Sequence, residues 1–242
     1  MIAVVTSGKG GVGKSTVTVG LACALAERGQ RVLVIDTDAG LRSLDLMLGV
    51  SDRAVYDLSD IFARRQEPSA VVVESPLCNN VFVIPAPPTL DGMTTPEEMT
   101  YLCRGLAENF DTVLIDCPAG IGRGFELAVA AADRAVLVTT PDPVAARDVY
   151  VASTLLDRRG ISYKMVVNRL RVKAVQKKQM PDLDAVMDEA QVPLLGVIPE
   201  DEAVTISTAR GERLPKKCPA ARCIENIAAR FLGESVPLFN FK

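Results

Sequence analysis

A glycine-rich stretch placed directly after an apolar run constrains this chain more than any other feature. Residues 2–6 read Ile-Ala-Val-Val-Thr, and Gly8-Lys9-Gly10-Gly11-Val12-Gly13-Lys14-Ser15-Thr16 follows almost at once. Lys14 then opens an Ala- and Leu-rich segment, 14–28, that stops at Gly29. Gly8, Gly13, Lys14 and Ser15 satisfy G-x-x-x-x-G-K-[ST], and a strand before and a helix after are the context that gives this pattern meaning. Glycines let the backbone fold with its N–H groups turned inward. The first turn of the helix adds unpaired N–H groups and the positive end of its dipole. Such a loop cradles phosphate. Lys14 is the expected cation at the β- and γ-phosphates, and the Ser15 hydroxyl the expected ligand of Mg2+.

The remainder of the chain repeats the strand-then-helix order. Apolar runs at 2–6, 31–36, 81–85, 112–116, 135–139, 164–168 and 194–198 read as strands, with 71–73 as a short extra one. Most are continuously apolar, as strands covered on both faces must be. Segments 14–28, 96–109, 144–159, 182–190, 203–210 and 219–232 read as helices. Thr95 is the expected N-cap and Pro96 the first residue of the second of these. Alternation at this spacing predicts an α/β fold, a doubly wound and mostly parallel sheet flanked by helices. No linker or repeat divides residues 1–242, so one domain is expected.

Composition narrows the chemistry. The chain has no histidine, which removes the commonest general base and metal ligand. Net charge is -3, which argues against bulk attraction to nucleic acid. A local basic run, Arg169, Arg171, Lys173, Lys177 and Lys178, is the one exception. The six cysteines are scattered with no Cys-x-x-Cys, and all six are expected to be reduced, as in a cytoplasmic protein. The apolar start is too short and lacks the basic leader of a signal peptide. No run of about 18 apolar residues exists to span a membrane.

Carboxylates take the place of histidine. The second strand ends in Asp36-Thr37-Asp38, at the edge of a parallel sheet where ligands bind. Residues 112–116 form an apolar strand ending in Asp116, placed to hold Mg2+ through water. Gly120 follows in a Pro118-Ala119-Gly120 turn, with its N–H available to the γ-phosphate. Asp38 is the candidate for positioning the attacking water, because phosphoryl transfer asks little covalent chemistry of the protein.

A second lysine inside the loop, Lys9 in Lys-Gly-Gly-Val-Gly-Lys-Ser-Thr, resembles the deviant loop of the ParA/MinD family of dimeric ATPases. The resemblance covers essentially 1–232. It implies that Lys9 reaches across an ATP-dependent homodimer to the partner's phosphates, as an arginine finger does. It further implies that Asp38 lies in the first switch and that Asp36 supports the Mg2+ shell and Lys14. Asn168 would recognise the adenine edge beside Arg169, and Pro199, Glu200 and Asp201 would form the other wall of the base pocket. Gly40-Leu41-Arg42 and Tyr56-Asp57 favour the division-site branch of the family. For that branch the resemblance implies a MinC-like division inhibitor, a topological regulator of turnover and a place on the inner face of the cell membrane. That branch usually ends in a basic amphipathic helix. Here 219–232 carries Ile224, Ile227, Phe231 and Leu232 on one stripe, expected to pack on the core. Residues 233–242 carry one lysine, one glutamate and Pro237, so they do not read as a membrane helix: the tail is either truncated, or its membrane contact is weaker or made elsewhere. Rival readings are a flagellar-number regulator of the FlhG kind, a ParA-like DNA-partitioning ATPase, and a metallocentre-assembly ATPase. For the last, Cys218 and Cys223 have the wrong spacing.

Overall fold

The computed structural model describes residues 1–40, 42–90 and 92–239. Eight strands form one sheet in the order β3-β4-β2-β5-β1-β6-β7-β8. They are β1 (Ile2–Thr6), β2 (Val32–Asp36), β3 (Val73–Glu74), β4 (Val81–Ile84), β5 (Thr112–Asp116), β6 (Arg134–Thr139), β7 (Ser162–Leu170) and β8 (Leu194–Pro199). Every pairing is parallel except β3 with β4. The main helices are α1 (Lys14–Glu27), α2 (Ser43–Met47), α3 (Leu58–Phe62), α4 (Pro68–Val71), α5 (Pro96–Leu106), α6 (Arg123–Ala130), α7 (Pro143–Asp157), α8 (Val172–Gln176), α9 (Leu183–Ala190), α10 (Glu202–Arg210) and α11 (Pro219–Phe231).

The continuous apolar runs are explained by two cores, one on each face of the sheet. Side chains alternate along a strand. Ile2, Val4, Leu33, Ile35, Val113 and Ile115 therefore join one core, closed by residues of α5, α6, α7 and α9. Ala3, Val5, Val32, Val34 and Leu114 join the other, closed by α1, α2 and α11. Ile224, Ile227 and Phe231 are buried in that second core, as the stripe predicts. Truncating one such side chain to Ala costs about 2–5 kcal/mol.

Local signals act where expected. The Thr95 hydroxyl accepts from the Glu98 N–H while the Glu98 carboxylate accepts from the Thr95 N–H, a capping box that starts α5. Gly29 and Gly160, just past α1 and α7, take positive φ of 87° and 67°. Two expectations fail. Residues 71–73 are not one strand: Val71 ends α4 and only Val73–Glu74 pairs, antiparallel, at the sheet edge. Pro68 at the first helical position starts that turn of helix and takes Val71 into it. The cysteines are not all reduced: Cys23 on α1 and Cys78 before β4 form a disulfide, with Cα atoms 5.8 Å apart. Tertiary folding brings together two residues separated by 55 positions, which no sequence spacing announces.

The chain leaves β1 for β2 on one side and reaches β6 on the other. The crevice at the C-terminal end of β1 is therefore a topological switch point, where α/β sheets bind ligands.

Candidate nucleotide site

The loop between β1 and α1 folds as its glycines require. Gly13 has φ 89° at the N-terminus of α1, and a Cβ there would lie 2.3 Å from Asn168 Nδ2. At Gly8 a Cβ would come within 2.4 Å of Asp148 Cβ on α7. Any larger residue at either position must displace its neighbour, so the loop is held by close packing from β7 and α7. Asn168 Nδ2 donates to the Val12 carbonyl at 2.8 Å and ties the loop to the end of β7.

Lys14 is buried and its Nζ lies 4.0 Å from Asp38 Oδ2. The Ser15 hydroxyl donates to Asp116 Oδ2 at 2.6 Å. Thr18, one turn further along α1, donates to the other carboxylate oxygen, Asp116 Oδ1, at 2.8 Å and also lies 3.1 Å from the Lys14 carbonyl. Thr37 reaches the Asp116 carbonyl at 2.7 Å. Asp36 and Asp116 sit side by side in the β2–β5 register, both fully buried. The Asp38 N–H donates to Asp36 Oδ1 at 2.9 Å, while Asp36 Oδ2 is buried without a hydrogen-bond partner.

That orphaned oxygen is informative. Burial first, and then the Asp116 charge, push the Asp36 carboxyl up to about 8. Burial also raises Asp116, against the pull of Lys14, Ser15 and Thr18. Two buried acids with one oxygen unpaired are expensive unless a cation joins them. Hard oxygen donors from a hydroxyl and carboxylates are the set that Mg2+ takes, so Ser15, Asp36 and Asp116 fit that ion.

Lys9 stands apart from this cluster. Its side chain is about half exposed and its Nζ lies 3.9 Å from Asp142 Oδ1, at the N-cap of α7. Gly120 has φ 88° in the turn after β5. Asn168 and Arg169 end β7 near Gly13. Glu200 is paired with Arg171 at 2.8 Å. Asp201 caps two helices, accepting from the Ala203 N–H at 3.0 Å and the Ala220 N–H at 3.1 Å. The structure thus gathers Lys14, Ser15, Asp36, Asp38 and Asp116, and puts Lys9 at the rim. Asn168, Pro199, Glu200 and Asp201 lie at the ends of β7 and β8. Sequence reasoning missed Thr18, Thr37, Asp142 and Asp148. Thr18 had a signal, three and four residues beyond Ser15 and Lys14 on one helix face. Asp148 had none.

A phosphate loop at the switch point of a mostly parallel sheet, with buried acids at the ends of β5 beside it and of β2 beyond, defines a P-loop nucleotide hydrolase. A family model described as "ParA: NUBPL iron-transfer P-loop NTPase" matches residues 1–232. The septum site-determining protein MinD of Synechocystis sp. is 41% identical over 245 residues, covering 99% of this chain and 92% of that protein. Among solved structures, the MinC:MinD cell division protein complex of Aquifex aeolicus matches with TM-score 0.92 and 35% identity, covering 99% of this chain and 98% of that one. The septum site-determining protein MinD of Pyrococcus horikoshii, complexed with Mg-ADP, matches with TM-score 0.85 and 29% identity over 95% of both chains. The chain belongs to the ParA/MinD family of P-loop ATPases. Among the described residues, no helix is long and apolar enough to cross a membrane.

Proposed function

We propose that this chain binds Mg-ATP in the crevice at β1 and works as an ATP-controlled dimerisation switch in placing the division site. The observation that carries the reading is the division of labour between two lysines of one loop. Lys14 is buried against Asp38, while the Lys9 side chain is half exposed at the rim, with its Nζ 3.9 Å from Asp142 Oδ1. A rim lysine on a phosphate loop has a use when two loops face each other.

The chain's own groups then divide the work. Backbone N–H groups of Gly10 to Thr16 and the dipole of α1 hold the phosphates. Lys14 moves from Asp38 onto the β- and γ-phosphates, which frees the Asp38 carboxylate to orient water for in-line attack. Ser15, Asp36 and Asp116 hold Mg2+, which when bound offsets charge on the phosphate oxygens. Thr18 and Thr37 fix the Asp116 carboxylate and its carbonyl, so its geometry does not reorganise as charge develops. The Gly120 N–H meets the γ-phosphate, and Lys9 of each copy completes the other's site. Asn168, Arg169, Pro199, Glu200 and Asp201 line the side on which the base rests.

The relatives support the setting. Relatives that cover nearly all of this chain are named for septum-site determination, and one solved neighbour is a MinC:MinD complex. By that likeness the dimer engages a MinC-like division inhibitor and a topological regulator, from the cytoplasm and on the inner face of the membrane. Relatives named as plasmid partition proteins are 18% identical and share the fold. The family model's description also names iron transfer, and this chain carries no Cys-x-x-Cys. Static light scattering with a slowly hydrolysed ATP analogue tests the switch. The wild type doubles its mass. Lys9→Ala stays monomeric while nucleotide affinity changes by less than about threefold. A normal dimer from that variant removes the role of Lys9 in trans.

A further inference from the structure

The Cys23–Cys78 disulfide plays no part in the chemistry above, yet the loop it closes carries two of the site's acids, Asp36 and Asp38. Its loop runs from α1 through β2, Asp36 and Asp38, and through α2. Cys23 lies on the phosphate-loop helix, nine residues after Lys14. Cys78 lies in the turn before β4, and that turn is fastened to the end of α2. The Ser75 hydroxyl donates to the Leu48 carbonyl at 2.7 Å, and Leu77 packs over Gly49, 3.1 Å from where a Cβ would stand. The bond therefore links the cradle for phosphate to the segment that follows the first switch.

It is also reachable. An apolar cavity of about 110 Å³ runs between α1, α10 and α11, and both cysteines line it together with Gly20, Leu77 and Ile224. Cys78 is 4% exposed, whereas Cys23 is half-buried. The Cα separation of 5.8 Å lies within the ordinary span of a disulfide. The other thiols are poor competitors. Burial pushes Cys103, Cys117 and Cys223 up to about 12, and Cys218 is raised as well.

We propose that Cys23 and Cys78 are a reversible thiol–disulfide pair, exchanged by a small thiol of the glutathione class, that clamps the phosphate-loop helix to the end of α2. In the reducing direction a thiolate enters from the cavity and attacks Sγ of the half-buried Cys23. The S–S bond breaks, and Cys78 leaves as a thiolate and takes a proton. A second thiol attacks the mixed disulfide and releases Cys23. Two small thiols are oxidised to one disulfide, and the protein disulfide is reduced to two thiols. The oxidised small disulfide drives the reverse.

The test uses the full chain equilibrated with oxidised or with reduced glutathione, then denatured, alkylated and mapped by peptide mass spectrometry. In the oxidised sample four of the six cysteines alkylate and one linked peptide joins Cys23 to Cys78. In the reduced sample all six alkylate. Constraining a loop of this length predicts a melting temperature lower by on the order of 10 °C after reduction. Hydrogen exchange reads the clamp itself. The amides of Leu48 and Val50, bonded to Leu44 and Asp45 in the native fold, exchange faster in the reduced protein. The double variant Cys23→Ser, Cys78→Ser behaves as the reduced protein under either condition. Six alkylated cysteines after oxidation, or a link between other cysteines, overturns the pair. A correct link with unchanged exchange at Leu48 and Val50 overturns the clamp.

Discussion

The two rims of the crevice are built from similar polar residues and are in different states. On the β1–β5–β2 side, Asp36 and Asp116 are fully buried, one oxygen is orphaned, and burial raises both carboxyls, Asp36 to about 8. On the β7–β8 side, Asn168 bonds to Val12, Glu200 pairs with Arg171, and Asp201 caps two helices. One side stores unfavourable electrostatics that a cationic ligand relieves. The other is satisfied by the protein alone. Under the proposed function, the side that responds to the γ-phosphate needs its instability there, while a wall that only shelters a base does not. Perturbed acids accordingly mark the chemistry.

That contrast breaks first at Lys14. Lys14→Ala removes the buried cation between the acids and the phosphates, and phosphate release is expected to fall roughly 10²–10³-fold or more. Turnover equal to the wild type would sink the enzymatic reading of this rim.

The stored electrostatics predict a pH dependence. An acid whose folded value is raised keeps its proton after the unfolded chain has released its own. Stability of the metal-free protein is therefore lost as pH rises from the ordinary value of 3.8 to about 8. Between pH 6 and 8 the Asp36 share is on the order of 2 kcal/mol. Thermal melts should show this fall for the wild type, a smaller one for Asp36→Asn, and recovery on adding Mg-nucleotide. Parallel pH profiles for the two proteins would contradict the assignment.

Asn168→Ala sharpens the boundary between the rims. It leaves the Val12 carbonyl without its donor and opens space beside Gly13, at an expected cost of about 1–3 kcal/mol in folding stability. If Asn168 serves chiefly to read adenine, the variant instead melts normally and loses preference for ATP over GTP; competition binding separates the two. The smallest effect belongs to Arg171→Ala. Its pair with Glu200 is exposed on both sides, and chemical denaturation should move by less than about 0.5 kcal/mol.

Much of this was legible in the sequence, and for identifiable reasons. Strands β1 and β5 were placed to the residue, because a buried parallel strand must be apolar throughout. α1 and α7 end where their glycines stop them. The short helices α2, α3 and α8, of five residues each, carried no period long enough to read. α6 hid in a run beginning Arg123-Gly124, where a glycine in the first turn weakens the pattern. In the site, Lys14, Ser15, Asp36, Asp38 and Asp116 were found because the first two sit in a spaced motif and the acids end apolar strands. Thr18 was passed over although it shares a helix face with Lys14 and Ser15, and Asp142 was missed because its approach to Lys9 joins residues 133 positions apart.

By itself the sequence determined the sheet class, the phosphate loop and the acids available to it. These follow from periodicity and from glycines whose backbone freedom is a local property. Only the tertiary structure decided that Asp36 and Asp116 share a register, that Lys9 rests on Asp142, and that Cys23 meets Cys78. Each depends on which strands lie adjacent and which helix crosses them. Strand order is set by burial across the whole sheet, and no short window of residues carries it.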